Sequence, residues 1–475
     1  MVMTQPQRPR VAIAGASGFI GTAVSSALAD AYEVRALTRS PARARAPDPD
    51  PHIDWRHCDL FSGPDVVAGL AGCDYAVYLV HSLAPSSRLT QANPRDMDLI
   101  LADNFARAAA ANGVQQIIVV GGLIPESFRI SPLLWSRREV ELVLASRGTA
   151  VTALRAGLVV GAGGSAPRLL VDLVRRLPVL ALPPSARSLT RPIALEDLVR
   201  AVQLCLGEPE TYRGAFDIGG PECLNYEEML RRTAEVLGVR RLIITLPWLP
   251  IWIAAATARA FSGAPSEVVG PALESLPQDT VIRDNPVQRA IDSGAMPFRE
   301  ALKAALAPSH RHLCASPRQP IQGQDRELIR EARRVRSIQR IILPPGQDAR
   351  WVAGNYFRWL GTCCWPFVAT RLDATGRCDV TIRFPRLHLL SLQRRAELSD
   401  PQREVYAITG GLLSRPDSLG HARFEFQTLL DDRYTMAAIH DYAPALPWYV
   451  YRWTQAVAHL MVMRRYQRRL ARLAR

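Results

Sequence analysis

Three glycines, Gly15, Gly18 and Gly21, stand three residues apart near the start of a 475-residue chain. Val11-Ala12-Ile13-Ala14 before them reads as a buried parallel strand, and Phe19 to about Ala29 reads as a helix. A glycine after a strand permits a tight turn. A second removes the Cβ that would hold backbone N–H groups away from an anion. A third lets the helix pack close on the sheet, with its N-terminus facing the charge. The pattern predicts a pyrophosphate cradle formed by Gly15, Ser17, Gly18, Phe19, Ile20 and Gly21. Its spacing, Gly-x-x-Gly-x-x-Gly, differs from the general dinucleotide fingerprint.

Further candidates fall where a parallel sheet collects its ligands. Glu33 to Leu37 reads as a second strand ending in Thr38-Arg39, with no acid at its end. An acid there suits the ribose hydroxyl of NAD, whereas an arginine accommodates the 2′-phosphate of NADP. Arg39, joined by Arg43, therefore favours NADP(H) over NAD(H). Asp59 and Leu60 end a third strand, Val80 and His81 follow a fourth, and Gly121 follows a fifth spanning 116–120. Arg137 opens a helix over 137–146, and 151–160 reads as a sixth strand. Strands alternating with helices predict an α/β fold, a doubly wound parallel Rossmann sheet with ligands at the strands' carboxyl ends. His81 is the candidate catalytic group, because imidazole titrates near neutral pH. The plainer reading makes it a hydrogen-bonded strand-end histidine, and Tyr78 is assigned to the core.

These stretches, with Leu154-Arg155 through Gly161, Arg191 through Ala201 and Phe216 through Pro221 followed by Tyr226 to Met229, resemble the short-chain dehydrogenase/reductase superfamily in its extended or atypical branch. The likeness extends to bacterial NmrA-like NAD(P)-binding proteins and to a nucleotide-binding accessory subunit of respiratory complex I, over about residues 10–300. It implies that Asp59 contacts adenine and that the chain serves oxidoreductase chemistry. The branch's catalytic residues do not carry over. Lys303 is the chain's one lysine, so no Tyr-x-x-x-Lys exists. Set against the family, Leu133 stands at the tyrosine, Arg137 at the lysine, and Gly121 or Gly122 at the serine. Guanidinium does not titrate near neutral pH, so Arg137 is assigned to cofactor ribose or phosphate. Two functions stay open: an NAD(P)(H)-dependent oxidoreductase acting on an apolar carbonyl or quinone-like substrate, or a non-catalytic NADP(H) sensor or assembly factor whose C-terminal domain binds an apolar ligand or membrane.

The remaining chain divides into a tail (1–9), the dinucleotide domain (10–306, its substrate part mainly 160–300), a linker (307–333) and a separate α+β domain (334–475). Leu242 to Ala258 lacks charge but is too short and proline-broken to span a bilayer, and it reads as a loop and helix over the substrate cleft. His310, His312 and Cys314 lack a complete ligand set, so no metal is expected. In 335–475, a strand, a helix over 348–360, six strand-like runs and one long helix over 445–472 follow the element order of the helix-grip (START-like) fold. That resemblance implies an apolar ligand beneath the last helix, with Trp448, Tyr449, Tyr451 and Trp453 as lining or core.

Residues 331–475 hold 23 arginines against 12 acids, which is +11 of the net +14. Six arginines and no acid lie in 464–475. A helix C-terminus accounts for two or three of them. The excess predicts peripheral contact of this helix with an anionic surface, the inner face of a membrane ahead of another protein; nucleic acid is disfavoured, since no recognition module is evident. Eight scattered cysteines without a Cys-x-x-Cys pair and a short polar N-terminus predict a reduced, cytoplasmic setting.

Overall fold

The computed structural model describes residues 8–81, 89–126, 130–262, 269–270, 273, 276–307, 334–363, 366–415 and 422–474. The chain forms two compact units, 1–83 with 104–321, and 84–103 with 322–475. The linker beyond residue 307, with His310, His312 and Cys314, lies outside the described residues, as does Cys364.

The first unit carries a seven-stranded sheet of β1 (Arg10–Ala14), β2 (Glu33–Thr38), β3 (Ile53–His57), β4 (Tyr75–Tyr78), β5 (Gln116–Gly122), β6 (Ala150–Ala156) and β7 (Gly214–Ile218). Their spatial order is β7-β6-β5-β4-β1-β2-β3, and every pairing is parallel. The order reverses at β1 and β4, the switch point beside which such sheets bind ligands. Val11, Ala12, Ile13 and Ala14 are fully buried, as a strand covered on both faces requires. Helix α1 (Phe19–Leu28) sets Val24 and Leu28 into the same core, and α2 (Pro41–Arg45) follows β2.

Several boundaries differ from expectation: β3 stops at His57, before Asp59 and Leu60, and β5 runs through Gly121 to Gly122. The sixth strand stops at Ala156, before Gly157, where a Cβ would lie 1.9 Å from the Arg191 carbonyl oxygen; the chain resumes at Val159–Val160, paired with Ile193–Ala194. The helix expected from Arg137 begins five residues earlier, as α4 (Pro132–Ala145), after α3 (Pro94–Ala111). The Ser131 hydroxyl accepts from Leu134 N (3.3 Å) and Pro132 takes the first position, a combination that starts helices. After α5 (Ser165–Arg176) and α6 (Tyr226–Val236), the uncharged run yields a strand, Leu242–Thr245, parallel to Val179–Leu182, and then α7 (Ile251–Phe261). Leu170, Val174, Leu230, Phe298 and Leu302 share the core of this part.

The second unit carries an eight-stranded sheet. It comprises β8 (Val335–Ile342), β9 (Val368–Leu372), β10 (Arg377–Ile382), β11 (Leu387–Arg394), β12 (Arg403–Gly410), β13 (Arg423–Leu429) and β14 (Tyr434–Tyr442) in the order β9-β10-β11-β12-β13-β14-β8, with Leu89–Gln91 parallel to β8 at the edge. The pairings among β8 to β14 are antiparallel. The edge strand Leu89–Gln91 and the first ten residues of α3 thus belong to this unit, whereas the sequence assigns all of 10–306 to the first. Helix α8 (Ala349–Cys363) follows β8.

The single helix expected over 445–472 is two, α9 (Trp448–Trp453) and α10 (Gln455–Leu473), broken at Thr454 with φ −117° and ψ −84°. Trp448 and Tyr451 pack on the core, whereas Tyr449 and Trp453 point away from it. Where a ligand space was expected beneath α10, rings interlock. Tyr356, Phe357, Tyr406, Phe424, Phe426 and Tyr466 form one cluster, with centroids 4.6 to 5.1 Å apart in its closest pairs. The Tyr466 hydroxyl donates to the Val352 carbonyl (2.9 Å), which ties α10 to α8.

Candidate functional site

The glycine turn between β1 and α1 has the form an anion needs. Gly15 adopts φ +84°, and a Cβ there would lie 3.0 Å from the Leu79 carbonyl oxygen. Gly18 N donates to the Gly15 carbonyl (2.8 Å), closing the turn. A Cβ on Gly21 would come within 2.2 Å of that same carbonyl, so only glycine lets α1 approach. Gly18 is the N-cap and supplies no side chain to the helix N-terminus, so no cap competes with an incoming anion. Ser17 is exposed at the turn, and Ile20 packs on the core. The Phe19 ring lies against the Gly161–Gly164 loop, which only glycines allow, since a Cβ at either end would lie 3.0 or 3.1 Å from the ring.

Arg39 is exposed at the carboxyl end of β2. Arg43, expected to assist it, is committed elsewhere: its guanidinium pairs with Asp48 (2.7 Å) and stacks 4.1 Å from the Trp55 ring centroid. Asp59 Oδ1 accepts from Phe61 N (3.1 Å), and the carbonyl of buried Leu60 accepts from Asn104 (3.0 Å), which fixes the loop after β3.

Beyond β4, Val80 is half-buried and His81 is exposed. Arg137 donates to Nδ1 of His81. The contact sets the guanidinium against the imidazole ring at the carboxyl end of β4. This contact joins two residues read separately from the sequence. Burial pushes the Arg137 guanidinium down to about 10, opposed by Tyr78, and leaves it a cation at neutral pH.

At the end of β5, Gly121 faces a buried ion pair. A Cβ at this position would lie 2.9 Å from Glu141 Oε1. Glu141 is held by Arg155 through Nη2–Oε2 (2.6 Å) and two contacts from Nε of 3.1 Å. Burial pushes the Glu141 carboxyl up, and Arg155 pulls against it. Gly121, Arg155 and Asp217 share one rung across β5, β6 and β7, and Asp217 is held in turn by Arg283 (2.7 Å). The pair escaped sequence reading because its members lie 14 residues apart on α4 and β6; Arg155 appeared only as a motif residue.

Next to these positions opens a cavity of about 400 Å³. Gly122, Leu133 and Leu134 form one wall; α5, α6 and α7 supply much of the rest. The lining is largely aliphatic, with polar atoms from Thr190, Tyr226, Thr257, Gln278 and Thr280. Burial pushes the Tyr226 phenol up to about 12, so it stays protonated. Of the uncharged run expected as a loop and helix over this cleft, Leu249 and α7 line the cavity, whereas Leu242–Thr245 forms a strand. Among the described residues, no group of three His, Cys, Asp or Glu is placed to hold a metal, and no helix is long and apolar enough to cross a membrane.

Comparison with known proteins agrees with this geometry. Residues 15–159 match a family described as NAD(P)H-binding. The auxiliary protein GraX of Staphylococcus aureus is 36% identical over 115 residues, which cover 24% of this chain and 37% of that protein. The chain thus matches little more than a third of that relative's length. Two solved structures share the fold with a TM-score of 0.50 over 62% of this chain and all of theirs: the triphenylmethane reductase of Citrobacter sp. with NADP(H), at 17% identity, and the NADPH-dependent quinone oxidoreductase QOR2 of Escherichia coli with NADPH, at 18%. The chain carries an NAD(P)H-binding domain of Rossmann type, with an antiparallel α+β unit beside it in sequence.

Proposed function

We propose that the protein is an NADP(H)-dependent oxidoreductase for an apolar carbonyl or quinone-like compound. The observation that carries this reading is the apolar cavity whose wall is made by Gly122, Leu133 and Leu134, at the end of β5 and the start of α4. The cradle fits a dinucleotide because Gly15 and Gly21 leave no room for a Cβ and the α1 N-terminus has no side-chain cap. In this reading the turn from Gly15 to Gly21 holds the pyrophosphate, Asp59 faces adenine, exposed Arg39 meets the 2′-phosphate, and Arg137 with His81 holds the nicotinamide-side ribose. The cofactor, when bound, supplies the hydride. The chain orients the substrate, excludes water through the aliphatic lining, and offers the Tyr226 hydroxyl as a donor. With glycine at 121 and leucine at 133, no tyrosine–lysine pair delivers a proton, which suits acceptors whose reduced form is a stable anion that takes its proton from solvent after leaving the cavity.

A second reading makes the protein a non-catalytic NADP(H) sensor or assembly factor. It is favoured by the three replaced catalytic positions and by the relative described as an auxiliary protein. The order β9 to β14 followed by β8, with α10 on the sheet, supports a START-like second unit, although aromatic rings fill its interior.

Calorimetric titration with NADPH and NADH, on the wild type and Arg39→Ala, tests the cofactor assignment. The expected result is NADPH binding that Arg39→Ala weakens about tenfold or more, roughly 1.4 kcal/mol, with NADH unaffected. Equal effects on both nucleotides overturn the 2′-phosphate role of Arg39. Transfer of deuterium from labelled NADPH to a panel of apolar quinones and carbonyls then separates the readings; tight binding with no transfer to any member favours the sensor.

A further inference from the structure

At one end of the second unit's sheet, backbone hydrogen bonds tie four separate segments into a row. Arg383 N donates to the Phe367 carbonyl (2.9 Å), joining the start of β9 to the end of β10. Leu412 N donates to the His388 carbonyl (3.0 Å) and Leu413 N to that of Leu389 (3.1 Å), joining the start of β11 to the segment after β12. Ala445 N donates to the Leu413 carbonyl (2.9 Å) and carries the row on to α9. Along it stand Phe367, Phe384, Leu387, Leu412, Tyr449 and Trp453, all exposed, Phe384 by 86% and both Tyr449 and Trp453 by 73%. Their chain neighbours Val368 and Trp448 pack on the core, so these six are left over once the core is filled. Single exposed apolar residues are ordinary, whereas a gathered set marks an interaction site.

Charge identifies the occupant. Segments 366–368, 383–388, 411–415 and 443–453 contain Arg383, Arg386, Arg415 and Arg452 and no Asp or Glu. Asp417, in the loop continuing from Arg415, lies outside the described residues. The Arg452 guanidinium lies 5.5 Å from the Trp453 ring centroid. Tryptophan and tyrosine settle at the headgroup level of a bilayer, and the exposed arginines beside them, Arg386 and Arg452, suit lipid phosphate. We propose that this rim inserts into the headgroup layer of a membrane containing anionic phospholipid, with Phe384 and Trp453 as anchors. The surface differs from the one the charge distribution suggested. Helix α10 runs away from the rim for about 28 Å. Its Gln467 side chain donates to the Arg340 carbonyl (2.9 Å), near the end of β8 opposite to Val335, whose partner Tyr442 adjoins the rim. The arginines of 464–472 therefore lie toward the other end of the sheet.

The test is cosedimentation of the full chain with large vesicles of phosphatidylcholine alone or mixed with phosphatidylglycerol. Wild type is expected to bind the mixed vesicles and not the neutral ones. Phe384→Ser with Trp453→Ser should lose binding about tenfold or more, whereas Arg468→Gln with Arg472→Gln should change it less than about threefold. Thermal melts check that the variants fold; if the double variant melts early, Phe384→Ser alone, at a residue 86% exposed, must still show the loss. The proposal is overturned if wild type ignores anionic vesicles, if the rim variant binds as wild type does, or if the tail variant alone abolishes binding. It is equally overturned if the rim substitutions convert a dimer to a monomer while vesicle binding stays intact, because the patch then joins two copies of the chain.

Discussion

Replacing Gly21 by alanine sets two physical effects against each other. Gly21 is buried in the first turn of α1, and in a helix alanine is favoured over glycine by about 0.5–1 kcal/mol. Local propensity alone therefore predicts a more stable protein. The packing predicts the opposite, because the new Cβ would lie 2.2 Å from the Gly15 carbonyl oxygen and 2.8 and 2.9 Å from Ala16 Cα and C. All three are backbone atoms of the turn that closes the cradle, so no side chain can swing aside. Forcing a methyl into a filled site costs about 1–3 kcal/mol. With mid-range values of about 2 kcal/mol for the clash and about 0.75 kcal/mol for helix propensity, the net loss is about 1 kcal/mol, or a fall in melting temperature of roughly 2–4 °C. Displacing the Gly15–Gly18 turn also moves the N–H groups aimed at the pyrophosphate, so NADPH affinity should fall about tenfold or more. Thermal melts without nucleotide and calorimetric titration with NADPH read the two quantities separately. A variant that melts at or above wild type and binds NADPH with unchanged affinity would refute both the close-approach argument and the placement of the cofactor.

Glu141→Ala should destabilise the first unit by about 3–5 kcal/mol, because it leaves Arg155 buried without its counter-charge. Glu141→Leu with Arg155→Met should regain most of that in urea denaturation, and a double variant no better than the single one would count against the buried-pair reading. Ala254→Trp, on α7 in the cavity wall, should abolish transfer to any substrate found while leaving NADPH affinity within about twofold; loss of both together would place the cavity at the cofactor instead. Burial pushes His459 down to about 4, and His440 shifts the same way. The unfolded chain takes up these protons near pH 6.5 while the folded chain resists, so stability is full above about pH 6.5 and falls as pH drops toward 4. His459→Gln should flatten that decline, and identical pH profiles would dismiss His459 as a contributor.

The parts legible in the sequence are those set by backbone requirements. Gly15 and Gly21 announce a turn and a close approach, and the apolar run Val11–Ala14 announces a strand buried on both faces, so the parallel sheet could be read from punctuation alone. Strand ends defined by a tertiary neighbour were not legible. After β6, residue 157 must be glycine because the Arg191 carbonyl, 34 residues away, occupies the space of a Cβ there. Leu89–Gln91 joins the second unit through pairing with Val335–Ser337, a contact spanning nearly 250 residues that no local pattern encodes. Direction was also hidden: Trp448, Tyr449, Tyr451 and Trp453 form one aromatic run in sequence, yet the helix break at Thr454 and the 3.6-residue period send two inward and two outward.

Under the proposed resemblance, Gly121 or Gly122, Leu133 and Arg137 stand where a serine, a tyrosine and a lysine would, and each is fitted to its own surroundings in this structure. Gly121 carries no hydroxyl because Glu141 Oε1 occupies the space in which a Cβ would begin, and that carboxylate is fixed by Arg155. Leu133 forms part of an aliphatic wall, where a phenol would need a buried partner. Arg137 binds His81 and stays charged, which lysine in an equally desolvated place would do less well, since buried ammonium groups lose their proton readily. Restoring serine at 121 alone would therefore disturb the Glu141–Arg155 pair before it created a catalytic group. Restoring tyrosine at 133 would reduce the cavity that a substrate needs. The positions depend on their surroundings one by one, so recovering the usual chemistry would require rebuilding the Glu141–Arg155 pair, the cavity wall and the Arg137–His81 contact together.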